Sequence, residues 1–163
     1  MKFSNIIARW SGATHDAFIW SNCRLSEDME HGIGNGAYLL GDSAYGLKPW
    51  LMTPVRNPQD HAELRYNVHH RRTRSIIERT FGRWKSRWLC LNKEEGVLRL
   101  LPAKRCKVVV ARAVLHSICE ERGVPLPPGV PLNNDDNPDN DTNPPLQLVD
   151  DEDGERARAR VIR

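Results

Sequence analysis

The sequence predicts an α/β domain, a short mixed sheet with flanking helices, followed by a disordered C-terminal tail. Three observations predict it. Short apolar runs bounded by glycine or proline, "AYLLG" and "WLMTP", read as strands. Two longer stretches, from about Asp60 to Leu91 and from Pro102 to about Glu121, place apolar residues at helical spacing. Beyond Gly123 the composition changes. Pro125, Pro127, Pro128, Pro131, Pro138, Pro144 and Pro145 stand there among Asn and Asp. Such a segment buries too little apolar surface to offset its ordering entropy. Residues 1–122 are therefore expected to fold, and residues 123–163 to form an acidic tail ending in an Arg-rich segment.

Taken in order, "KFSNIIARW" is β-prone and has no turn or cap before it, so the chain is expected to begin inside a sheet. In "SGATHDAFIW", Ser11 and Gly12 turn the chain and Thr14 can cap a helix. His15 and Asp16 then fall in its first turn, with Phe18, Ile19 and Trp20 packing behind. "HGIGNGAYLL" holds glycines at alternate positions, but a phosphate-binding loop follows a strand and opens a helix, whereas this one precedes a strand. It reads as a flexible connection. Tyr38–Leu40 form the strand, Gly41 frees the backbone at its end, and Asp42 places a carboxylate at the strand's edge. Leu51–Thr53 give a second strand, ended by Pro54.

The long helix from about Asp60 to Leu91, with a kink near His69, is amphipathic. With Glu78 at zero, Ile77, Phe81, Trp84 and Trp88 cluster near about −90°. That stripe faces the core. Arg79, Arg83 and Arg87 fall on the outer side. Glu78 lies at the border, with Arg71, Arg74, Gly82 and Lys85 near it, shielded from bulk water and surrounded by cations. Gly82 costs a helix interior about 1 kcal/mol relative to Ala, which suggests a close approach by backbone or substrate. Pro102 opens the last helix at its first position, and that helix is expected to be largely buried.

The net charge of +3 hides a split. Residues 1–122 hold 20 Lys and Arg against 12 Asp and Glu, and the remainder holds four Arg against nine acids. Between Arg65 and Arg112, 14 basic residues face three acids. A region this basic suits a polyanion, with a solvated surface as the alternative. Cys23, Cys90, Cys106 and Cys119 show no paired spacing, and no zinc pattern is present. They read as buried thiols of a reducing compartment. No apolar run approaches the length of a membrane span and the N-terminus lacks a signal-peptide pattern, so an intracellular protein is expected.

Two acids stand where an element leaves the core: Asp42 at a strand end and Glu78 on a later helix. Carboxylates converging from different elements suit two-metal phosphodiester chemistry, in which two Mg²⁺ about 4 Å apart clamp the attacking and leaving oxygens. For either acid alone, a salt-bridged surface residue is the alternative.

These residues also carry a resemblance. "LLGDSAYGLKPWLMTP", "RYNVHHRRTRSIIERTFGRWKSRW" and "AVLHSIC" resemble the DDE-type transposases of the PIF/Harbinger class and the nuclease-like genes derived from them. "ARWSGATHDAFIW" is similar to the same family's small-Gly-x-x-His-Asp motif. The blocks follow the family's order from about Lys2 to Cys119. The resemblance implies an RNase H-like fold and Mg²⁺- or Mn²⁺-dependent DNA strand cleavage. It implies that Asp42 and Glu78 are the second and third catalytic acids and that Asp16 is a further metal ligand. His15 would orient a carboxylate, and Arg74 would bind phosphate or Glu78. DNA would run along Arg71, Arg74 and Lys85. A Myb-like partner supplying DNA recognition and nuclear import, and residence in nucleus and cytoplasm, are implied too. The family's first catalytic Asp belongs to a strand ahead of these blocks. The expectation is therefore a truncated RNase H-like domain, impaired as an enzyme; a non-enzymatic DNA- or protein-binding remnant is the alternative.

Overall fold

The computed structural model describes residues 1–10, 14–88, 100–128 and 151–162. Its elements, in order, are α1 (Asp16–Ser21), α2 (Arg24–Glu30), β1 (Leu39–Leu40), β2 (Leu51–Met52), α3 (His61–Arg87), α4 (Pro102–Glu121) and α5 (Glu152–Ile162). The mixture of helices with a small sheet is an α/β arrangement, as the sequence predicts. The chain forms two compact units, one of Ala13–Arg74 with Asp141–Arg163 and one of Met1–Gly12 with Ser75–Asn140. Helix α3 contributes to both.

In the first unit β1 and β2 pair in parallel, Leu39 opposite Leu51 and Leu40 opposite Met52. Parallel neighbours usually need a crossover of a dozen or more residues. Here residues 41–50 suffice, because a tight turn at Pro49–Trp50 returns the chain: the Lys48 and Leu51 backbones bond each other at 3.0 Å in both directions. Proline suits the first central position of such a turn, where its fixed φ is already correct. Leu47, Leu51 and Met52 are buried, as are Ala17, Cys23 and Met29. Helix α3 lies against β2. The Tyr66 hydroxyl donates to the Thr53 carbonyl at 2.9 Å, and the Asn67 amide bonds both the N–H and the C=O of Val55, each at 2.9 Å.

The second unit is organised by Phe3, whose ring meets those of Phe81, Trp84 and His116 at 5.5, 5.3 and 5.7 Å. Glu120 receives Arg83 at 2.9 Å and Arg87 at 3.0 Å. Burial raises the Glu120 carboxyl, but hydrogen bonds from Arg83 and Arg87, with the charge of Arg83 and then His116, outweigh it and hold the group at about 2. His116 is fully buried, and burial lowers its imidazole below the ordinary range.

Several expectations are corrected. Residues 2–10 form no strand; Phe3 anchors them by packing, and its N–H bonds the Ser117 hydroxyl at 3.1 Å. The N-cap of α1 is His15, not Thr14, and it makes no side-chain capping bond. Helix α2 was not expected: its cap is Cys23, whose sulfur accepts from the Ser26 N–H at 3.3 Å, a role normally given to oxygen. Arg83 and Arg87 do not lie on an outer side, since both engage Glu120. Ile77 and Phe81, placed on the core stripe, stay more than a third exposed. On α4 only Ala113 and His116 are buried, while Val114, Leu115 and Ile118 are exposed. Residues 152–162 are helical rather than disordered. Gly154 on α5 sits so close to Leu47 that an added Cβ would lie 3.1 Å from its backbone. The end of the long helix expected at Leu91 lies outside the described residues, as do Cys90 and most of the proline-rich segment.

Candidate functional site

Asp42 follows β1 by way of Gly41. The sequence reading gave Gly41 a conformational task, but its φ is not positive. Space explains it instead: a Cβ there would come within 3.1 Å of the Tyr45 ring and 3.2 Å of Leu51. Without that Cβ, Tyr45 folds back on the strand end. The Asp42 side chain closes the turn by accepting the Ala44 N–H on Oδ1 at 2.9 Å, a local bond that Asp makes readily. Its Oδ2 faces Arg74 Nη2 at 3.6 Å, with both side chains about a quarter exposed.

Arg74 is positioned from α3 by the two turns before it. Tyr66 reaches Thr53, and His70 Nε2 meets the Met52 carbonyl at 3.1 Å. His70 is buried, and that burial lowers its imidazole below the ordinary range against the opposing effect of its bond to Met52. The ring is therefore neutral at pH 7 and acts as a fixed strut between α3 and β2.

Tyr45 joins the acids. Burial raises its phenol far above the ordinary range, the charges of Asp16 and then Asp42 raise it further, and Arg74 partly opposes them. Asp16 from α1, Asp42 from the β1 turn and Arg74 from α3 thus act on one phenol. Trp20 closes the group from α1, meeting Tyr45 edge-on at 6.1 Å and Trp50 at 5.9 Å.

Of the residues singled out from sequence, the first unit brings together Asp16, Asp42 and Arg74. His15 caps α1. Arg71 is exposed on α3. Glu78, Gly82 and Lys85 are half-buried on the part of α3 that belongs to the second unit. Sequence reasoning gave no role to Tyr45 or His70. His70 had a signal: His70, Arg74 and Glu78 recur at every fourth position, one helical stripe. Tyr45 had none beyond standing three residues after Asp42.

Among the described residues, no three His, Cys, Asp or Glu side chains converge tightly enough to enclose a metal ion. Mg²⁺ does not require that. It keeps several waters and takes one or two carboxylates along with substrate phosphates. Asp16 and Asp42, hard oxygen donors on two elements beside one phenol, fit that donor set.

Residues 1–117 match the family described as DDE superfamily endonuclease. The Bos taurus and Homo sapiens proteins named "Putative nuclease HARBI1" are each 40% identical over 115 residues, 71% of this chain and 33% of theirs. The Arabidopsis thaliana "Protein ALP1-like" is 26% identical over 133 residues, 72% of this chain and 32% of its own. The chain thus spans about a third of the length of the curated relatives it matches. No solved structure matches significantly. A family match over residues 1–117, together with relatives 40% identical over 71% of the chain, makes this chain a member of the Harbinger-derived DDE nuclease family.

Proposed function

We propose that these residues form part of the catalytic centre of a transposase-derived DNA nuclease that works with Mg²⁺ or Mn²⁺ and has an RNase H-like fold. The observation that carries the reading is the Asp42 carboxylate at the end of β1, 3.6 Å from Arg74, with Asp16 and Asp42 both raising the Tyr45 phenol. Asp16 and Asp42 would hold the cation; a catalytic role for Glu78 rests on the resemblance alone. A cation held there would activate water and neutralise charge on a phosphodiester. The protein's own part is positional. The Ala44 N–H fixes the Asp42 carboxylate, and His70 and Tyr66 fix the turns of α3 that precede Arg74. Arg71, Arg74 and Lys85, on one helix, would take phosphates without reading bases. Nuclear residence and a Myb-like DNA-binding partner belong to the same proposal and rest on the resemblance alone.

Titration calorimetry with Mn²⁺ tests the metal reading. Binding to the 163-residue chain should weaken by about tenfold or more in Asp42→Asn, since an amide supplies a neutral oxygen in place of a charged one. Equal affinity in wild type and Asp42→Asn would remove Asp42 from the site. The non-enzymatic reading, a DNA- or protein-binding remnant, is favoured by a specific observation too: Asp42 is already paired with a guanidinium, and no third acid converges on it among the described residues. An absence of Mn²⁺ binding with DNA binding intact would select that reading.

A further inference from the structure

We propose that Arg74 is a displaceable counter-ion, neutralising Asp42 before a divalent cation binds and, once displaced by it, turning its guanidinium to a phosphate of DNA. The inference rests on the metal-site reading above and adds to it a coupling between cation and nucleic acid.

Two arginine–carboxylate contacts in this chain make the case by contrast. At Glu120 the arginines sit at 2.9 and 3.0 Å, hydrogen-bonding distance, and the Arg87 side chain is only 5% exposed. That pair is locked. At Asp42 the separation is 3.6 Å, beyond a good hydrogen bond, and Arg74 and Asp42 are 24% and 29% exposed. The attraction there is chiefly Coulombic and open to competitors. A cation with two charges, bonding oxygen at about 2.1 Å, competes well with a guanidinium at that distance. The two oxygens of Asp42 are used differently. Oδ1 is used by the Ala44 N–H, so Oδ2, the oxygen facing Arg74, is the natural point of entry.

The scaffold allows the exchange without a change of fold. His70 and Tyr66 tie the preceding turns of α3 to β2, so the Arg74 backbone stays in place while its side chain swings. A released guanidinium is a planar donor fork suited to phosphate oxygens. Cation loading would then add a phosphate contact that the unloaded protein lacks.

The test uses the 163-residue chain, Mn²⁺ as the cation and a random-sequence DNA duplex. Arg74→Gln should bind Mn²⁺ about two- to fivefold more tightly than wild type, the range expected from removing a part-exposed ion pair. Arg71→Gln, which removes the same charge from an exposed position, should shift the affinity less. In DNA binding, Mn²⁺ should steepen the slope of log K against log salt, and that steepening should be smaller by about 0.9 in Arg74→Gln, one phosphate contact. Asp42→Asn provides an independent arm: it should release Arg74 without metal, steepening the slope by about 0.9 and abolishing the response to Mn²⁺. A folded Arg74→Gln that binds Mn²⁺ no better than wild type overturns the exchange and leaves the metal site standing. So does a metal-free slope unchanged in Asp42→Asn. If wild type and Arg74→Gln both fail to bind Mn²⁺, the metal reading falls and the exchange falls with it.

Discussion

Glu120 sets one carboxylate against two arginines in a nearly closed environment, its side chain 9% exposed. Its carboxyl is lowered from 4.5 to about 2. A group with a depressed folded value contributes stability above its unfolded value and loses it as pH falls toward the folded one. Urea denaturation should therefore show stability falling between about pH 4.5 and 2, with that part of the slope absent in Glu120→Gln. At neutral pH the same substitution should cost roughly 3 kcal/mol, because the buried Arg87 loses the charge that compensates its burial. An unchanged acid profile in Glu120→Gln would mean that the pair contributes nothing to folding. The helical projection put Arg83 and Arg87 outside because angle along one helix says nothing about a partner on another. Asp42 was legible for the opposite reason: a carboxylate just past a short apolar run must lie at the strand's end whatever surrounds it.

At the scale of elements, both strands and the proline-opened helix α4 follow from local sequence. Their signals, apolar runs closed by glycine or proline, act over a few residues. Helix α5 does not. "EDGERARARVI" is polar, follows a proline-rich stretch, and shows its worth only where Gly154 meets Leu47 and Lys48 pairs with Asp151 at 3.4 Å. Composition measures what a segment can bury by itself; docking depends on a surface far away in sequence. Gly154→Leu should prevent this docking, since Leu47 backbone atoms cannot yield as a flexible side-chain end can. Hydrogen exchange across residues 152–162 should accelerate by at least tenfold while residues 61–74 keep their protection. Unaltered exchange in α5 would show that the helix does not depend on this contact.

For the whole molecule, the basic balance of residues 65–112 was read as a polyanion-binding surface, and part of that charge has other employment. Arg83 and Arg87 serve Glu120, and Arg74 faces Asp42. The cations left for phosphate are fewer than a count suggests, so the salt dependence of DNA binding should be correspondingly modest. We expect the 163-residue chain to bind duplex DNA without sequence preference and without Mg²⁺-dependent cleavage. Arg71→Gln should lower the slope of log K against log salt by about 0.9, and Arg83→Gln should leave it unchanged. Equal effects from the two substitutions would contradict this division of the charges. Mg²⁺-dependent cutting that Asp42→Asn abolishes would contradict the expectation of binding alone.

The turn at Pro49–Trp50 bears on the order in which the chain assembles. Pairing Leu39 with Leu51 closes only a short loop around Asp42, whereas the bond from Lys48 to Asp151 joins residues 103 apart. Loop-closure entropy rises with the logarithm of loop length, and contacts between near neighbours form soonest. The acid-bearing turn can therefore take shape while most of the polypeptide is still a fluctuating coil, and α5 arrives late as a fastener on a frame already built.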